Sequence, residues 1–273
     1  MLNNDIENMI VIGRNPVLEL LKSDRNIEKI YTLQGTREGS ITKIFSLAKE
    51  KGVLIEEASK KKLDSLSNGE LHQGVVAISS PITYFSLDEI IDEARSKNKR
   101  ILLLLCDDIE DPHNLGAIIR CADGAGCDGI VIPKRRTTPI NQTVIKTSAG
   151  ALEYAKIARV SNLANTIDYL KEKNIWVYAA DGGGDNYMNY SFDCDVALVV
   201  GNEGKGISKL VKEKCDGIIS IPMYGGVSSL NVSTATAVLL YDITIKQRKG
   251  GMWLCILMMK IMIEFQLKIY WKN

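Results

Sequence analysis

Apolar positions along this chain fall into short runs separated by stretches of helical period. Ile101 to Leu105 is five apolar residues in a row, which predicts a strand covered on both faces of a parallel sheet. Gly129–Ile132, Ala155–Val160, Ile175–Ala180, Val196–Val200 and Gly217–Ile221 read the same way. Between them the spacing predicts helices over Asn114–Gly124, Thr143–Ala149, Leu163–Lys173 and Ile207–Lys214, with a long closing helix over Asn231–Lys246. The first eighty residues show a shorter version of the alternation. Ile41, Ile44, Phe45 and Ala48 recur at helical spacing between strand candidates Ile30–Leu33 and Val53–Glu56, and Gly74–Ile78 closes the unit. The expected fold class is α/β: a mainly parallel sheet with helices on both faces, preceded by a small α/β domain.

The breaks suggest boundaries at 1–84, a joining helix within 85–99, a large domain over 100–248, and an atypical tail, 249–273. Ser86 three residues before Glu89 predicts a capping box on the joining helix. The tail run MWLCILMMKIMI is shorter than the roughly 20 residues that span a bilayer, and Lys260 interrupts it. Three readings stay open for it: an amphipathic or partner-bound helix, a membrane-surface segment, or an extension with no packed role. No membrane partner is expected.

Charge changes the picture by what it withholds. The 34 Lys and Arg nearly balance the 33 Asp and Glu, so a polyanionic partner would need a local basic surface. Six cysteines without a C-x-x-C pair and only two histidines, His72 and His113, argue against a zinc site, and no metal is expected. The start, MLNNDIENMIVIGRN, has no basic stretch followed by an apolar one, so it does not read as a signal peptide and a cytoplasmic protein is expected.

Three segments carry candidate chemistry. GNEGKG, Gly201 to Gly206, follows a strand and precedes a helix. Ile207 stands where a phosphate-binding loop needs Ser or Thr, and the glycine spacing is not that of a dinucleotide fold. The plain alternative is a tight turn, but Glu203 between glycines can accept hydrogen bonds from a neighbouring loop or an Arg. In DPHNLGAIIR, Pro112 starts a helix just after Asp111 and places Asn114 and Arg120 on its first two turns. Arg120 among Ala117, Ile118, Ile119 and Ala122 needs a partner, and an ion pair with Asp107, Asp108, Glu110 or Asp111 is the structural alternative. Those acids read as helix N-terminal charges rather than metal ligands. In IPMYGGVSSLNVS, Ser228, Ser229 and Asn231 are natural helix N-caps as well as polar contacts.

Taken in order, the three segments resemble the SpoU/TrmH family of the SPOUT superfamily, over about residues 100–247. Asn-x-Gly-x-x-x-Arg matches Asn114, Gly116 and Arg120, Gly-x-Glu-Gly matches Gly201, Glu203 and Gly204, and Ile-Pro-Met with Ser-Leu-Asn-Val-Ser matches Ile221 to Met223 and Ser229 to Ser233. The first eighty residues resemble the ribosomal-protein-like RNA-binding domain that precedes the catalytic domain in many members. The layout is most similar to the bacterial 23S rRNA guanosine-2′-O-methyltransferases of RlmB type.

The resemblance implies an S-adenosyl-L-methionine-dependent RNA ribose 2′-O-methyltransferase, a homodimer, and a C-terminal trefoil knot. It implies that Gly201, Ile221, Met223 and Leu230 hold the cofactor largely through backbone. It implies that Asn114, Glu203, Ser229 and Asn231 organise the site while Arg120 acts at the ribose. A free guanidinium stays protonated, so Arg120 suits phosphate binding and electrostatic polarisation better than proton abstraction. The implied target is a guanosine of 23S rRNA. A tRNA ribose, or a non-catalytic role in ribosome assembly, are the alternatives.

Overall fold

The computed structural model describes residues 9–248. Two sheets organise them. The first contains β1 (Met9–Ile12), β2 (Ile27–Leu33), β3 (Ile55–Ala58) and β4 (Val75–Ser79), in the order β1-β4-β2-β3. β4 pairs antiparallel with both β1 and β2, and β2 pairs parallel with β3. Helices α1 (Arg14–Lys22), α2 (Ser40–Glu50) and α3 (Lys60–Leu66) connect these strands. Val17, Leu20 and Leu21 on α1 and Ile41 and Ile44 on α2 are buried, at the i, i+3, i+4 spacing of a helix with one apolar stripe.

α4 (Leu87–Ser96) opens with the capping box of Ser86 and Glu89 and lays Ile90, Ile91 and Ala94 on the second sheet. A Cβ on Gly129 would come within 2.6 Å of Ile90, so the helix lies as close as a glycine allows.

The second sheet runs β10-β8-β9-β5-β6-β7, and every strand pair in it is parallel. Its strands are β5 (Leu102–Asp107), β6 (Gly129–Pro133), β7 (Ile157–Val160), β8 (Trp176–Asn186), β9 (Val196–Gly201) and β10 (Gly217–Ser220). β5, β6 and β9 are buried at every position, as strands covered on both faces must be. The covering helices are α5 (Pro112–Ala125), α6 (Gln142–Thr147), α7 (Leu163–Glu172), α8 (Lys209–Lys214) and α9, which runs from residue 232 to the last described residue, 248. α9 lies against α5, with Thr244 donating to the carbonyl of Ala125 at 2.9 Å.

β8 departs from its expected end at Ala180 and continues to Asn186. Against β10 its register jumps: Ile218 faces Ala179, and Ile219 faces Asp185. Residues 180–184 loop out between them. Pairing resumes because position 184 is glycine; a Cβ there would sit 2.4 Å from the carbonyl oxygen of Ile218.

The two sheets share one contiguous core. Val11, Val17 and Leu20 belong to the same buried cluster as Leu115, Val144, Ile145 and Leu152. A buried ion pair crosses between them: Arg25 meets Glu153 at 2.9 Å, with 10 % and 3 % of the side chains exposed. The hydroxyl of Ser23 donates to the other Glu153 oxygen at 3.2 Å, and Tyr154 donates to Glu19 at 2.6 Å. His72 is fixed within the first unit, bonded to Asp64 and accepting the amide of Gly74 at its Nδ1. The tail readings concern residues 249–273, outside the described residues. Among the described residues no helix is long and apolar enough to cross a membrane.

Candidate active site

Ligands of open parallel sheets bind beyond the carboxyl ends of the strands. Here the loops after β5, β9 and β10 converge there. Asn114 sits on the first turn of α5, 8 % exposed. Asp111 caps that helix, accepting the amide of His113, and Pro112 occupies its first turn. Gly116 sets the height of Asn114: a Cβ there would come 2.7 Å from Thr147 and 2.9 Å from the carbonyl of Val144, so only glycine lets α5 rest on α6.

The loop after β9 is closed on itself. Asn202 and Gly206 exchange backbone hydrogen bonds of 3.2 and 2.8 Å. The side-chain oxygen of Asn202 accepts from the amides of Gly204 and Lys205, and its Nδ2 donates to the carbonyl of Asp108 at 3.1 Å. Gly201 is pressed so closely to Gly206 that a Cβ would fall 2.5 Å from its carbonyl carbon. Glu203 therefore stands at the tip of a clamped loop.

The turn after β10 delivers Asn231, the N-cap of α9. Its Oδ1 accepts from the amide of Ser233 at 2.9 Å and from the hydroxyl of Ser233 at 2.6 Å. With the oxygen committed to the cap, the amide nitrogen must face the other way. It donates to Oδ1 of Asn114 at 3.1 Å and to Oε1 of Glu203. Three loops distant in sequence are thus tied at one amide group.

Beside this junction lies a cavity of about 190 Å³. Gly182, Gly201, Ile221, Met223, Ser229 and Leu230 border it, with Val232 and Leu239 on its apolar side. All four residues expected to hold a cofactor line this one cavity. The looped-out part of β8 forms one wall. Asp181 anchors that wall, paired with Lys212 of α8 at 2.5 Å and accepting the amide of Gly183 at 3.1 Å. The Lys212 hydrogen bond holds the Asp181 carboxyl below its ordinary range against some opposing desolvation. An added Cβ on Gly182 would meet nothing within 4 Å, so the wall presents bare backbone to open space.

Two expectations need correction. Arg120 is exposed, and no hydrogen bond or ion pair holds it among the described residues. Six residues fall about a third of a turn short of two helical turns, so Asn114 faces inward and Arg120 outward. The structural alternative, an ion pair with Asp107, Asp108, Glu110 or Asp111, does not form among the described residues, and the chain does not bring Arg120 to the Asn114, Glu203 and Asn231 cluster. Ser228 and Ser229 precede the cap of α9 rather than provide it; Asn231 does that alone. The acids at the end of β5 and in the loop after it also divide their work. Asp107 accepts the amide of Ser208 at 2.7 Å, Asp111 caps α5, and Glu110 pairs with Lys205 at 3.2 Å.

Known proteins resemble this arrangement along nearly the whole chain. Residues 101–241 match the SpoU rRNA methylase family, and residues 10–85 match the domain described as RNA 2′-O ribose methyltransferase substrate binding. The chain is 45 % identical over 242 residues to YacO of Bacillus subtilis (strain 168), a protein named for the TrmH family of tRNA/rRNA methyltransferases; the match covers 88 % of this chain and 97 % of that one. Among solved structures, the fold matches the SpoU methyltransferase AviRb of Streptomyces viridochromogenes in complex with AdoMet, with a TM-score of 0.72, 23 % identity, and 88 % and 90 % of the two chains covered. It also matches an AdoMet-bound rRNA methyltransferase of Sinorhizobium meliloti, with a TM-score of 0.71, 24 % identity, and 86 % of each chain covered. The chain belongs to the SpoU/TrmH family of RNA methyltransferases, with that family's substrate-binding domain ahead of its methylase domain.

Proposed function

We propose that this chain transfers a methyl group from S-adenosylmethionine to a ribose 2′-hydroxyl of RNA, and that its target is a guanosine of 23S rRNA. The observation that carries the reading is the junction of Asn114, Glu203 and Asn231 beside a glycine-walled cavity. The cavity fits a nucleoside-like cofactor: its apolar side suits an adenine face, and its bare backbone at Gly182 and Gly201 suits polar edges.

When bound, S-adenosylmethionine supplies a methyl on positively charged sulfur, a good leaving group. The chain's own residues then have to align and deprotonate. Gly201, Ile221, Met223 and Leu230 hold the cofactor, largely through backbone. Asn114 and Asn231 fix Glu203, and Ser229 lies on the same rim. In this reading they orient the 2′-oxygen in line with the methyl, and Glu203, the carboxylate of the junction, takes the proton that the oxygen gives up. Arg120 brings positive charge to the ribose and its phosphate.

Arg120 points away from its own chain's cluster, so the proposal includes a homodimer in which it serves the partner's site. Exposed Tyr224, Val227 and Leu230 beside the cavity, and Tyr241 and Ile245 on α9, supply apolar surface for such a contact. The C-terminal trefoil knot belongs to the same proposal. It is supported by the path of the chain from edge strand β10 back to α9, whose Gln247 donates to the carbonyls of Ile101 and Cys194 just ahead of the middle strands β5 and β9.

The test is transfer of labelled methyl to unmodified 23S rRNA and tRNA, with the product mapped by nucleotide. A 2′-O-methylguanosine in 23S rRNA is expected. Label in tRNA alone would move the target, and label in neither, with RNA still bound, would make the protein a binder rather than an enzyme.

A further inference from the structure

A second hollow, of about 700 Å³, adjoins the cavity along the carboxyl edge of the large sheet. The first cavity caps β10, β8 and β9. The second caps β9, β5 and β6, the next strands in the sheet order. The two share the clamped loop after β9, with Glu203 facing one and Lys205 lining the other.

The hollow is bordered by Asp108 and Glu110 after β5, by Arg136 and Thr137 after β6, and by Lys205. The loop after β6 is held firmly. The hydroxyl of Thr137 and the amide of Thr138 both donate to the carbonyl of Ile109, at 2.9 and 3.0 Å. The amide of Lys134 donates to Val160 at 2.8 Å. Arg136 in this loop has φ +62°, and Asp108 facing the same hollow has φ +55°. Aspartate tolerates this left-handed region, but a long side chain such as that of Arg136 makes it unfavourable. Such strain gathers where a side chain is needed in one direction. The side chains of Lys134, Arg135 and Arg136 are exposed and make no hydrogen bond or ion pair among the described residues. Among the described residues the Lys205 side chain has one ion pair, with Glu110, in which both side chains are more than half exposed, a pairing that water weakens and a stronger anion can displace. Two bases and two acids border the hollow itself, and Lys134 and Arg135 just outside it tip the local surface positive in a chain whose overall charge is close to neutral.

We infer that this hollow binds a backbone phosphate of the RNA beside the target nucleotide, with Arg136 and Lys205 as positioning residues. The inference rests on the reading of the chain as an RNA ribose methyltransferase. A phosphate held here would fix the strand relative to the neighbouring cavity, where the ribose must meet the methyl. Lys134 and Arg135 extend the positive surface outward along the strand.

Arg136→Gly is the informative variant. Glycine accepts φ +62° without strain, so the protein should unfold at the same temperature or higher. S-adenosylmethionine binding by calorimetry should be unchanged. The KM for rRNA should rise roughly tenfold with a much smaller change in kcat. The slope of log affinity against log salt should flatten by about 0.7–0.9, one phosphate's worth. Lys205→Ala should give the same flattening, while Arg136→Lys should restore the slope. An unchanged KM and salt slope in both Arg136→Gly and Lys205→Ala would overturn the phosphate site while wild-type methylation continued. Failure of wild-type protein to methylate any RNA would instead overturn the reading on which it rests.

Discussion

Asn231 and Glu203 are joined by a hydrogen bond whose direction is dictated from the other end of the asparagine. The oxygen of Asn231 caps α9 through Ser233, so its nitrogen is the end presented to Glu203 and Asn114. Helix capping and site geometry are one constraint. Asn231→Asp separates them, because aspartate caps a helix as well as asparagine does. The helix should survive with under about 1 kcal/mol lost, but carboxylate would then face carboxylate. Methyl transfer should fall by about 10²-fold or more, the scale of a lost electrostatic contact in a site. Adding Glu203→Gln returns a donor to the pair and should recover part of the loss. A single Asn231→Asp enzyme with normal turnover would show that the junction is not used.

Arg120 is exposed on α5 and makes no hydrogen bond or ion pair among the described residues. If it serves the partner's site, Arg120→Ala and Glu203→Ala proteins should each be inactive, yet regain activity when mixed and allowed to exchange subunits. Each mixed dimer then holds one intact site. Arg120→Lys should also fail, since a point charge does not replace the planar fork. The check is a methylation assay on the mixture. No recovery in a mixture shown to contain mixed dimers would place Arg120 in its own chain's site or outside it.

The cavity wall made by residues 180–184 is tethered through Asp181 and Lys212. Lys212→Ala should weaken S-adenosylmethionine binding several-fold without unfolding the sheet. The same tether predicts a pH dependence. The Asp181 carboxyl is held below its ordinary value, so its contribution is present above that value and is lost as pH falls through the lowered one. Cofactor affinity, followed by calorimetry, should therefore hold steady down to the ordinary carboxylate range and drop below it. The drop should be missing in Lys212→Ala.

The Arg25–Glu153 pair predicts an asymmetry in stability. Burial lowers the Arg25 pKa and raises that of Glu153, each only partly offset by the other's charge. Desolvation is the leading cause on both sides, so the pair is not a strong net stabiliser. Breaking it is another matter. Arg25→Met or Glu153→Gln alone leaves a buried charge or a buried guanidinium without its partner and should cost about 3–5 kcal/mol. Arg25→Met with Glu153→Leu should be neutral or stabilising. Because the Glu153 pKa is raised, its ionisation opposes folding at neutral pH, and that opposition fades as pH falls toward the unfolded value. Urea midpoints of the three variants decide it. A single variant as stable as wild type would contradict the argument.

The sequence showed the loops and hid what joins them. Gly201, Glu203 and Asn231 announced themselves because glycines and caps at strand ends obey local rules. The bond from Asn231 to Asn114 spans 117 residues and follows no local rule. The outward direction of Arg120 was legible, since six residues do not complete two turns, but the apolar neighbours drew attention to burial instead. The expected strand stops at Ala180, ahead of three glycines; the close approach of Gly184 to the carbonyl of Ile218 explains why it resumes. Asn202, which clamps the loop after β9, stood unnoticed inside the motif. The loop after β6 offered only its basic run, Lys134 to Arg136, as a signal.

The shared core has a consequence for how the chain comes into being. Arg25 waits for a partner 128 residues further along, and Val17 and Leu20 wait for Val144 and Leu152. A ribosome releases the first unit long before it makes those residues. Domains commonly fold as they emerge, but here the emerging unit carries an apolar face and a cation with nothing yet to cover them. Its completion has to be postponed until synthesis has passed the first two strands of the large sheet and the helix that follows them.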